Sequence, residues 1–102
     1  EGEPILKNIK NTDKVVLLDE RGKTFTSINW SKEIEKEIIC GTKSLVFIVG
    51  GAYGFAQTIY DRADAKLSLS SMTFSHQIIR LFFIEQLYRA FTIIKGEPYH
   101  NE

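Results

Sequence analysis

The segment at residues 76–95 constrains the fold more than any other part of this 102-residue chain. Its apolar residues have helical spacing, but they cover nearly the whole circumference of the helix. They are Ile78, Ile79, Leu81, Phe82, Phe83, Ile84, Leu87, Tyr88, Phe91, Ile93 and Ile94. One side of such a helix can face the chain's own core. The other side needs a second copy of the chain or the rest of a larger monomer, and we favour the second copy.

Short apolar runs alternate with helical segments along the rest of the chain. The runs at 15–18, 45–49 and 67–69 predict buried strands, because each is bounded by polar or turn residues. Apolar spacing predicts helices that end near residue 10 and that span about 30–39, 55–63 and 76–95. This order predicts one α/β domain over residues 1–102 with a mostly parallel sheet.

Residue types that cap helices predict where the helices begin and end. Asn29 or Ser31 is predicted to cap the helix at 30–39, and Gly41 to end it. The last helix is predicted to begin after Thr73 or Ser75 and to end at Gly96.

Composition excludes several classes of protein. Thirteen basic residues balance thirteen acidic ones, so no basic stripe indicates a nucleic-acid partner. A single cysteine excludes an internal disulfide and favours a reducing compartment. Arg80, Glu85 and Arg89 interrupt the most apolar helix, so we expect no membrane span. We expect no metal site either, because the two histidines stand apart without further ligands nearby.

Two loops could hold a ligand, although neither is specific by itself. Gly50, Gly51 and Gly54 follow a predicted strand and precede a helix, where backbone N–H groups can approach a ligand closely. Their spacing fits neither a dinucleotide fingerprint nor a phosphate-binding loop, and a plain tight turn also explains it. Residues 69–74 mix hydroxyls with apolar side chains, which suits an adenine or a thioether. A simple capping segment also explains them.

Three charged residues of the last helix, Arg80, Glu85 and Arg89, allow more than one interpretation. Glu85 and Arg89 are four residues apart, in the order that favours an ion pair within a helix. Arg80 and Arg89 could instead face a phosphate backbone.

Four blocks of the sequence resemble the ribosomal large-subunit RNA methyltransferase H family, which belongs to the knotted SPOUT methyltransferases. The blocks are VLLDERGK (16–23), FIVGGAYG (47–54), RADAKLSLSSMTF (62–74) and HQIIRLFFIEQLYRAFTIIKGEPYH (76–100). Together they extend over essentially the whole chain, and the last two blocks are long and specific.

The resemblance implies a fold and an activity that spacing alone does not indicate. Members are cytoplasmic bacterial homodimers that act in rRNA processing. They transfer a methyl group from S-adenosylmethionine to N3 of a pseudouridine in large-subunit (23S) ribosomal RNA, within the assembled ribosome or large subunit. Their C-terminal region, about 45–102 here, forms a deep trefoil knot, an exception to the usual rule against threaded chains.

The resemblance also implies site residues. Three loops would hold the cofactor, and the matching residues are Leu18, Gly50, Leu69, Ser70, Ser71, Met72, Thr73 and Phe74. The catalytic candidates are His100 and Tyr99 in the tail, which would reach the cofactor pocket of the partner and help to remove the N3 proton. A tail that only contacts RNA is the alternative.

This chain departs from the family pattern in two ways. It lacks the N-terminal region that carries the family's first strand and helix, so we expect a partial domain. Ser75 stands where the family usually has proline, and serine can cap a helix. Two other functions remain open: a non-catalytic dimerising fragment that binds RNA or the ribosome, and an unrelated flavodoxin-like nucleotide binder.

Overall fold

The structure is a computed structural model that describes residues 6–50, 55–70, 72 and 74–100. Strands and helices alternate along these residues. In chain order they are β1 (Lys14–Thr24), α1 (Ser27–Ile39), β2 (Leu45–Val49), α2 (Gln57–Arg62), β3 (Ala65–Ser68) and α3 (His76–Lys95). The predicted α/β fold is therefore confirmed. The helix expected to end near residue 10 is described only from residue 6, where residues 6 and 7 are helical.

All three strands are parallel, and β1 lies in the middle of the order β2-β1-β3. The apolar run at the start of β1 explains its central place, because a central parallel strand is covered on both faces. Val15 and Leu17 are fully buried. Leu18 pairs with Val49 of β2 on one side and with Leu67 of β3 on the other. The carboxyl ends of the three strands therefore meet at one edge of the sheet.

Alternating side chains of β1 serve two separate cores. Val16 and Leu18 pack with α1 and α3, whereas Val15 and Leu17 pack with Ile59 of α2. The connection through α1 runs from β1 to β2, and the connection through α2 runs back across β1 to β3. Right-handed crossovers in opposite directions place their helices on opposite faces of a sheet.

Three aromatic rings hold α1 and α3 against the sheet. Phe83 of α3 lies 4.5 Å from Phe47 of β2 and 5.8 Å from Trp30 of α1, measured between ring centroids. Edge-to-face and tilted pairs of this kind add to the stability gained from burial. Ser27 Oγ also donates to Gln86 Oε1 at 3.0 Å and joins the start of α1 to the middle of α3.

The observed helix ends correct one prediction and confirm three. Thr26, and neither Asn29 nor Ser31, caps α1, because its Oγ1 accepts a hydrogen bond from the Asn29 N–H at 3.1 Å. Ser75 caps α3 by accepting from the Ile78 N–H. Gly96 ends α3 with φ +74°, a left-handed conformation that glycine adopts readily. The predicted stop at Gly41, just beyond Cys40, is also confirmed.

Strand β1 runs past Leu18, the predicted end of this strand, and continues to Thr24. After an irregularity, Lys23 pairs with Leu67 and Thr24 pairs with Ser68 of β3. Gly22 allows this second pairing, because a Cβ atom there would come within 2.8 Å of the Leu67 backbone nitrogen. A polar run with glycine resembles a loop in sequence, although here it continues a strand.

Helix α3 buries one side against the chain's own core and leaves the other side exposed in the single chain. Phe83 and Ala90 face the chain's own core, and Leu87 packs against it. Residues at intervals of three and four form an apolar stripe on the other side, which we call the α3 stripe. It comprises Leu81, Ile84, Tyr88 and Phe91, which are 39–63% exposed. Within the described part of the chain, no helix is long and apolar enough to cross a membrane.

Replacement of Phe83 tests the aromatic core. Phe83→Ala should lower the free energy of unfolding by about 3–5 kcal/mol, because a buried phenyl ring is removed and a cavity remains. Phe83→Leu should cost less. Ile39→Ala, at a position that is 78% exposed on α1, should change stability by less than about 1 kcal/mol. Denaturant titration of the intact protein measures all three, and equal effects of Phe83→Ala and Ile39→Ala would contradict this core.

Candidate functional site

The carboxyl edge of the sheet brings together the first residues of the three predicted cofactor loops. Leu18 lies between Val49 and Leu67, so the positions that follow in the chain, Gly50 and Ser68, are at the same edge. In open parallel sheets this edge is where ligands bind, especially where neighbouring strands lead to opposite faces. β1 and β2 meet that condition, because α1 and α2 cover opposite faces. Residues distant in sequence thus lie at one edge of the sheet.

Serine side chains shape the turn after β3. Ser68 is buried, and its hydroxyl donates to the Ser70 carbonyl at 2.9 Å. Ser70 Oγ in turn accepts from the Met72 N–H at 3.0 Å. The predicted cofactor residues Ser71 and Thr73 lie outside the described residues. The Ser68 and Ser70 bonds stabilise the start of the loop that leads to α3.

Apolar side chains of the same loop face two directions. Leu69 packs against the core shared with α1 and α3. Met72 is 70% exposed, and the Phe74 ring makes an edge-to-face contact with Phe82 at 5.3 Å. The loop therefore combines an anchored start with an accessible thioether.

Gly50 ends β2 in a place where a side chain would not fit. A Cβ atom there would lie 2.8 Å from Cζ of Phe55. The Phe55 ring is held in turn by an edge-to-face contact with Tyr60 of α2 at 5.6 Å. Sequence reasoning did not identify Phe55, because a single aromatic residue before a short helix carries no specific signal. Gly51 to Gly54 lie outside the described residues.

A second residue that the sequence analysis missed is Asp19, directly after Leu18. Its side chain is only 7% exposed, and it accepts hydrogen bonds from Arg21 and from the Tyr60 hydroxyl. Burial by itself would raise the pKa of this carboxyl group. The hydrogen bonds from the Arg21 N–H, the Arg21 guanidinium and Tyr60 outweigh burial and hold the pKa below its usual value. Asp19 is therefore ionised at neutral pH. Its hydrogen bond from Tyr60 connects the middle of β1 to α2.

A groove opens between the start of α1, the end of β3 and the middle of α3. Its volume is about 800 Å³, and Leu69 of the predicted cofactor loop lines it. Phe25, Leu81 and Phe82 provide apolar walls, while Glu85 and Gln86 provide polar atoms. A mostly apolar cleft with a few polar groups and this volume is typical of sites for small ligands.

The C-terminal tail folds back onto α3 beside this groove. The Tyr99 hydroxyl donates to Glu85 Oε2 at 3.1 Å, and Arg89 Nη2 donates to the same oxygen at 2.8 Å. Arg89 Nη1 lies 3.0 Å from His100 Nδ1. The Tyr99 and Tyr88 rings meet edge to face at 4.8 Å. The two predicted catalytic residues therefore form one cluster with Glu85 and Arg89, which we call the tail cluster.

Contacts within the tail cluster determine which atoms of Tyr99 and His100 carry hydrogen. The hydrogen bond to Glu85, followed by partial burial, raises the pKa of Tyr99, so its hydroxyl stays protonated as a donor at neutral pH. Arginine can only donate, so His100 Nδ1 accepts from Arg89 and the neutral ring carries its hydrogen on Nε2. Tyr99 therefore donates to Glu85, and His100 accepts from Arg89. The predicted Glu85–Arg89 ion pair is confirmed.

Among the described residues, Glu85 relates the tail to the carboxyl edge. Glu85 lines the groove that reaches Leu69 and also carries the tail cluster. Within the described part of the chain, every hydrogen bond and ring contact of Tyr99 is with α3. Among the same residues, no group of three or more His, Cys, Asp or Glu side chains could hold a metal ion.

Comparison with known proteins places this arrangement in a family. The family model described as "Predicted SPOUT methyltransferase" matches residues 1–100. A protein named "Ribosomal RNA large subunit methyltransferase H" from Flavobacterium johnsoniae is 59% identical over 102 residues, which are all of this chain and 65% of that protein. Proteins of the same name from Parabacteroides distasonis and Porphyromonas gingivalis are 58% and 49% identical, with the same coverage.

The coverage is unequal in the two directions. The whole of this chain is matched, but it spans only about 65% of the length of these curated relatives. Since the family model and the relatives agree over nearly every residue, the chain belongs to the SPOUT methyltransferase family.

Proposed function

We propose that the intact protein is an S-adenosylmethionine-dependent methyltransferase that modifies N3 of a pseudouridine in large-subunit ribosomal RNA. It works in the cytoplasm as a homodimer, on the assembled ribosome or large subunit. One observation carries the proposal: Leu18, Gly50 and the loop that starts at Leu69 meet at one sheet edge beside an open groove. Family membership and the names of the relatives support the chemistry.

The residues at the sheet edge suit the proposed cofactor. Leu69 lines the groove and supplies apolar surface for an adenine, Leu18 lies in the neighbouring strand of the sheet, and Met72 supplies an accessible thioether. Gly50 has no side chain, so its backbone groups can approach a ligand closely. Ser70, Ser71, Thr73 and Phe74 complete the proposed set. When bound, S-adenosylmethionine supplies an electrophilic methyl group.

The tail cluster suits the other half of the reaction. Methylation of N3 requires loss of the N3 proton, and negative charge then spreads onto the two neighbouring ring oxygens. In the observed arrangement the single Tyr99 hydroxyl hydrogen is donated to Glu85 and His100 Nδ1 lies against Arg89, so α3 holds both tail side chains in place. We assign His100 and Tyr99 to orientation of the pseudouridine and to the loss of its N3 proton, as a base or as a donor to the ring anion.

The α3 stripe supports the proposed homodimer. Leu81, Ile84, Tyr88 and Phe91 leave an apolar surface on α3 that the chain itself does not cover. Tyr88 also holds Tyr99, so an interface on the stripe places the tail cluster of one protomer close to its partner. A trefoil knot at about 45–102 is part of the proposal on the ground of family membership.

The alternative is a non-catalytic fragment that dimerises and binds RNA or the ribosome. Calorimetry with S-adenosylmethionine on the 102-residue chain separates the two, since a folded dimer without cofactor binding would support the fragment. The flavodoxin-like interpretation is wrong, because the chain belongs to the SPOUT family.

The dimer prediction is tested on the α3 stripe. Phe83 and Leu87 of the same helix pack in the chain's own core and are unsuitable as test positions. Ile84→Glu should weaken the dimer by at least about tenfold, because an unpaired carboxylate would enter an apolar interface. Ile39→Glu on α1 is the matched control and should leave the dimer intact. Sedimentation of both variants measures the dimer. An unaltered dimer for Ile84→Glu would exclude the α3 stripe as the interface.

Replacement of Gly50 tests the cofactor site. Gly50→Val should abolish S-adenosylmethionine binding, because a branched side chain would stand where the ligand passes. It would also displace the Phe55 ring, so Phe55→Leu and the double variant are needed as controls. Phe55→Leu should bind the cofactor, whereas both variants with valine should not. Calorimetry gives the affinities, and wild-type affinity in Gly50→Val would refute the site.

Replacement of His100 tests the tail. His100→Ala should lower the single-turnover methylation rate on ribosomes by roughly a hundredfold, the loss typical of one anion-stabilising donor. Cofactor affinity and the thermal midpoint should stay nearly unchanged. An unimpaired rate would leave the tail with a role in RNA contact only.

A further inference from the structure

A second depression adjoins the groove at the start of α1. It is lined by Lys23, Thr24, Phe25, Thr26, Asn29 and Lys32, which we call the Lys23–Lys32 surface. Phe25 and Thr26 belong to both depressions, so the two are continuous. Neither the site residues that the family resemblance implies nor the proposed cofactor set includes any of them.

Strand pairing places this surface beside the candidate cofactor loop. Lys23 pairs with Leu67 and Thr24 pairs with Ser68. Neighbouring strands lie about 4.8 Å apart, so the Lys23 backbone is one strand spacing from a residue that precedes Leu69 by two positions. The close approach at Gly22 fixes this distance.

The charges of the surface are available to a ligand. Lys23 and Lys32 are exposed, and none of the four ion pairs among the described residues includes either one. The Lys23 ammonium group lies 5.1 Å from the centre of the half-buried Phe25 ring. Glu33 is the one carboxylate in the lining. Two cations beside an aromatic face and exposed hydroxyl and amide groups can contact both a phosphate backbone and a base.

We infer that the Lys23–Lys32 surface binds the phosphodiester backbone of the RNA strand that carries the target nucleotide. This inference rests on the proposed function and names the part of the protein that holds its substrate. Lys23 and Lys32 contact phosphates, Thr24 and Asn29 contact phosphate or sugar oxygens, and the groove beyond Phe25 receives the base next to the methyl donor. The neutral net charge fits a small number of contacts of this kind.

The test measures binding of the intact protein to ribosomes. The double variant Lys23→Ala, Lys32→Ala should bind about tenfold more weakly, and the dependence of log affinity on log salt should become shallower by about 0.7 per lysine. Lys23→Arg should retain binding. Glu33→Gln should bind more tightly, because it removes the opposing carboxylate. Lys43→Ala, an exposed lysine just before β2 at the opposite edge of the sheet, should have no effect.

Each result of these measurements either supports or overturns the inference. Unchanged ribosome affinity in the double variant overturns the inference, and so does a loss that does not depend on salt, which would indicate a ribosomal protein as the partner. Loss of S-adenosylmethionine affinity with retained ribosome binding would assign Lys23 to the cofactor instead. Ribosome binding can be measured without methyl transfer. If the wild-type protein binds through these lysines but never methylates, the proposed activity fails and the surface stands.

Discussion

The pairing of β1 with both of its neighbours is the constraint on which the rest of the structure depends. Leu18 is fixed between Val49 and Leu67, and the buried side chains of the strand fill both cores. Because the strands are parallel, their carboxyl ends lie at one edge, and the loops that follow them converge. A change that separates β1 from β3, at Gly22 for example, would disturb both the cofactor loop and the Lys23–Lys32 surface.

Helix α3 meets two demands with one sequence. Phe83 and Ala90 complete the core over the sheet, while the α3 stripe leaves apolar side chains without cover from this chain. Glu85 and Arg89 lie between these two sides and hold the tail through Tyr99 and His100. The proposed association and catalysis would thereby be linked to core packing through one helix. In the proposed dimer, this link would position the tail of one protomer relative to its partner.

Much of the fold could be predicted from the sequence, because its signals are local. Apolar runs located β2 and the start of β1, and Ser75 and Gly96 marked the ends of α3. The continuation of β1 to Thr24 could not be predicted, since it depends on contact between Gly22 and the distant backbone of β3. Thr26 was missed as a cap because the apolar spacing of α1 first becomes clear at Trp30.

The candidate site was predictable only in part, for a related reason. Family resemblance indicated Leu18, Gly50, residues 69–74 and the tail, but no local pattern indicated Asp19, Phe55 or the contact of Glu85 with the tail. Asp19 acts through Tyr60 and Glu85 through Tyr99, which are distant in sequence, and Phe55 fills the space that a side chain at Gly50 would take. Their importance becomes visible only when the strands and α3 are placed together.

The central claim is that three loops at one sheet edge bind the methyl donor together. Hydrogen–deuterium exchange of the intact protein, with and without S-adenosylmethionine, tests it most directly, because it reports on all three loops in one experiment. The account predicts slower exchange around Leu18, around Gly50 and at residues 69–74, with no change around Lys14 and Lys43 at the opposite edge. Protection confined to that opposite edge, or absent from all three loops while the cofactor is bound, would contradict the account.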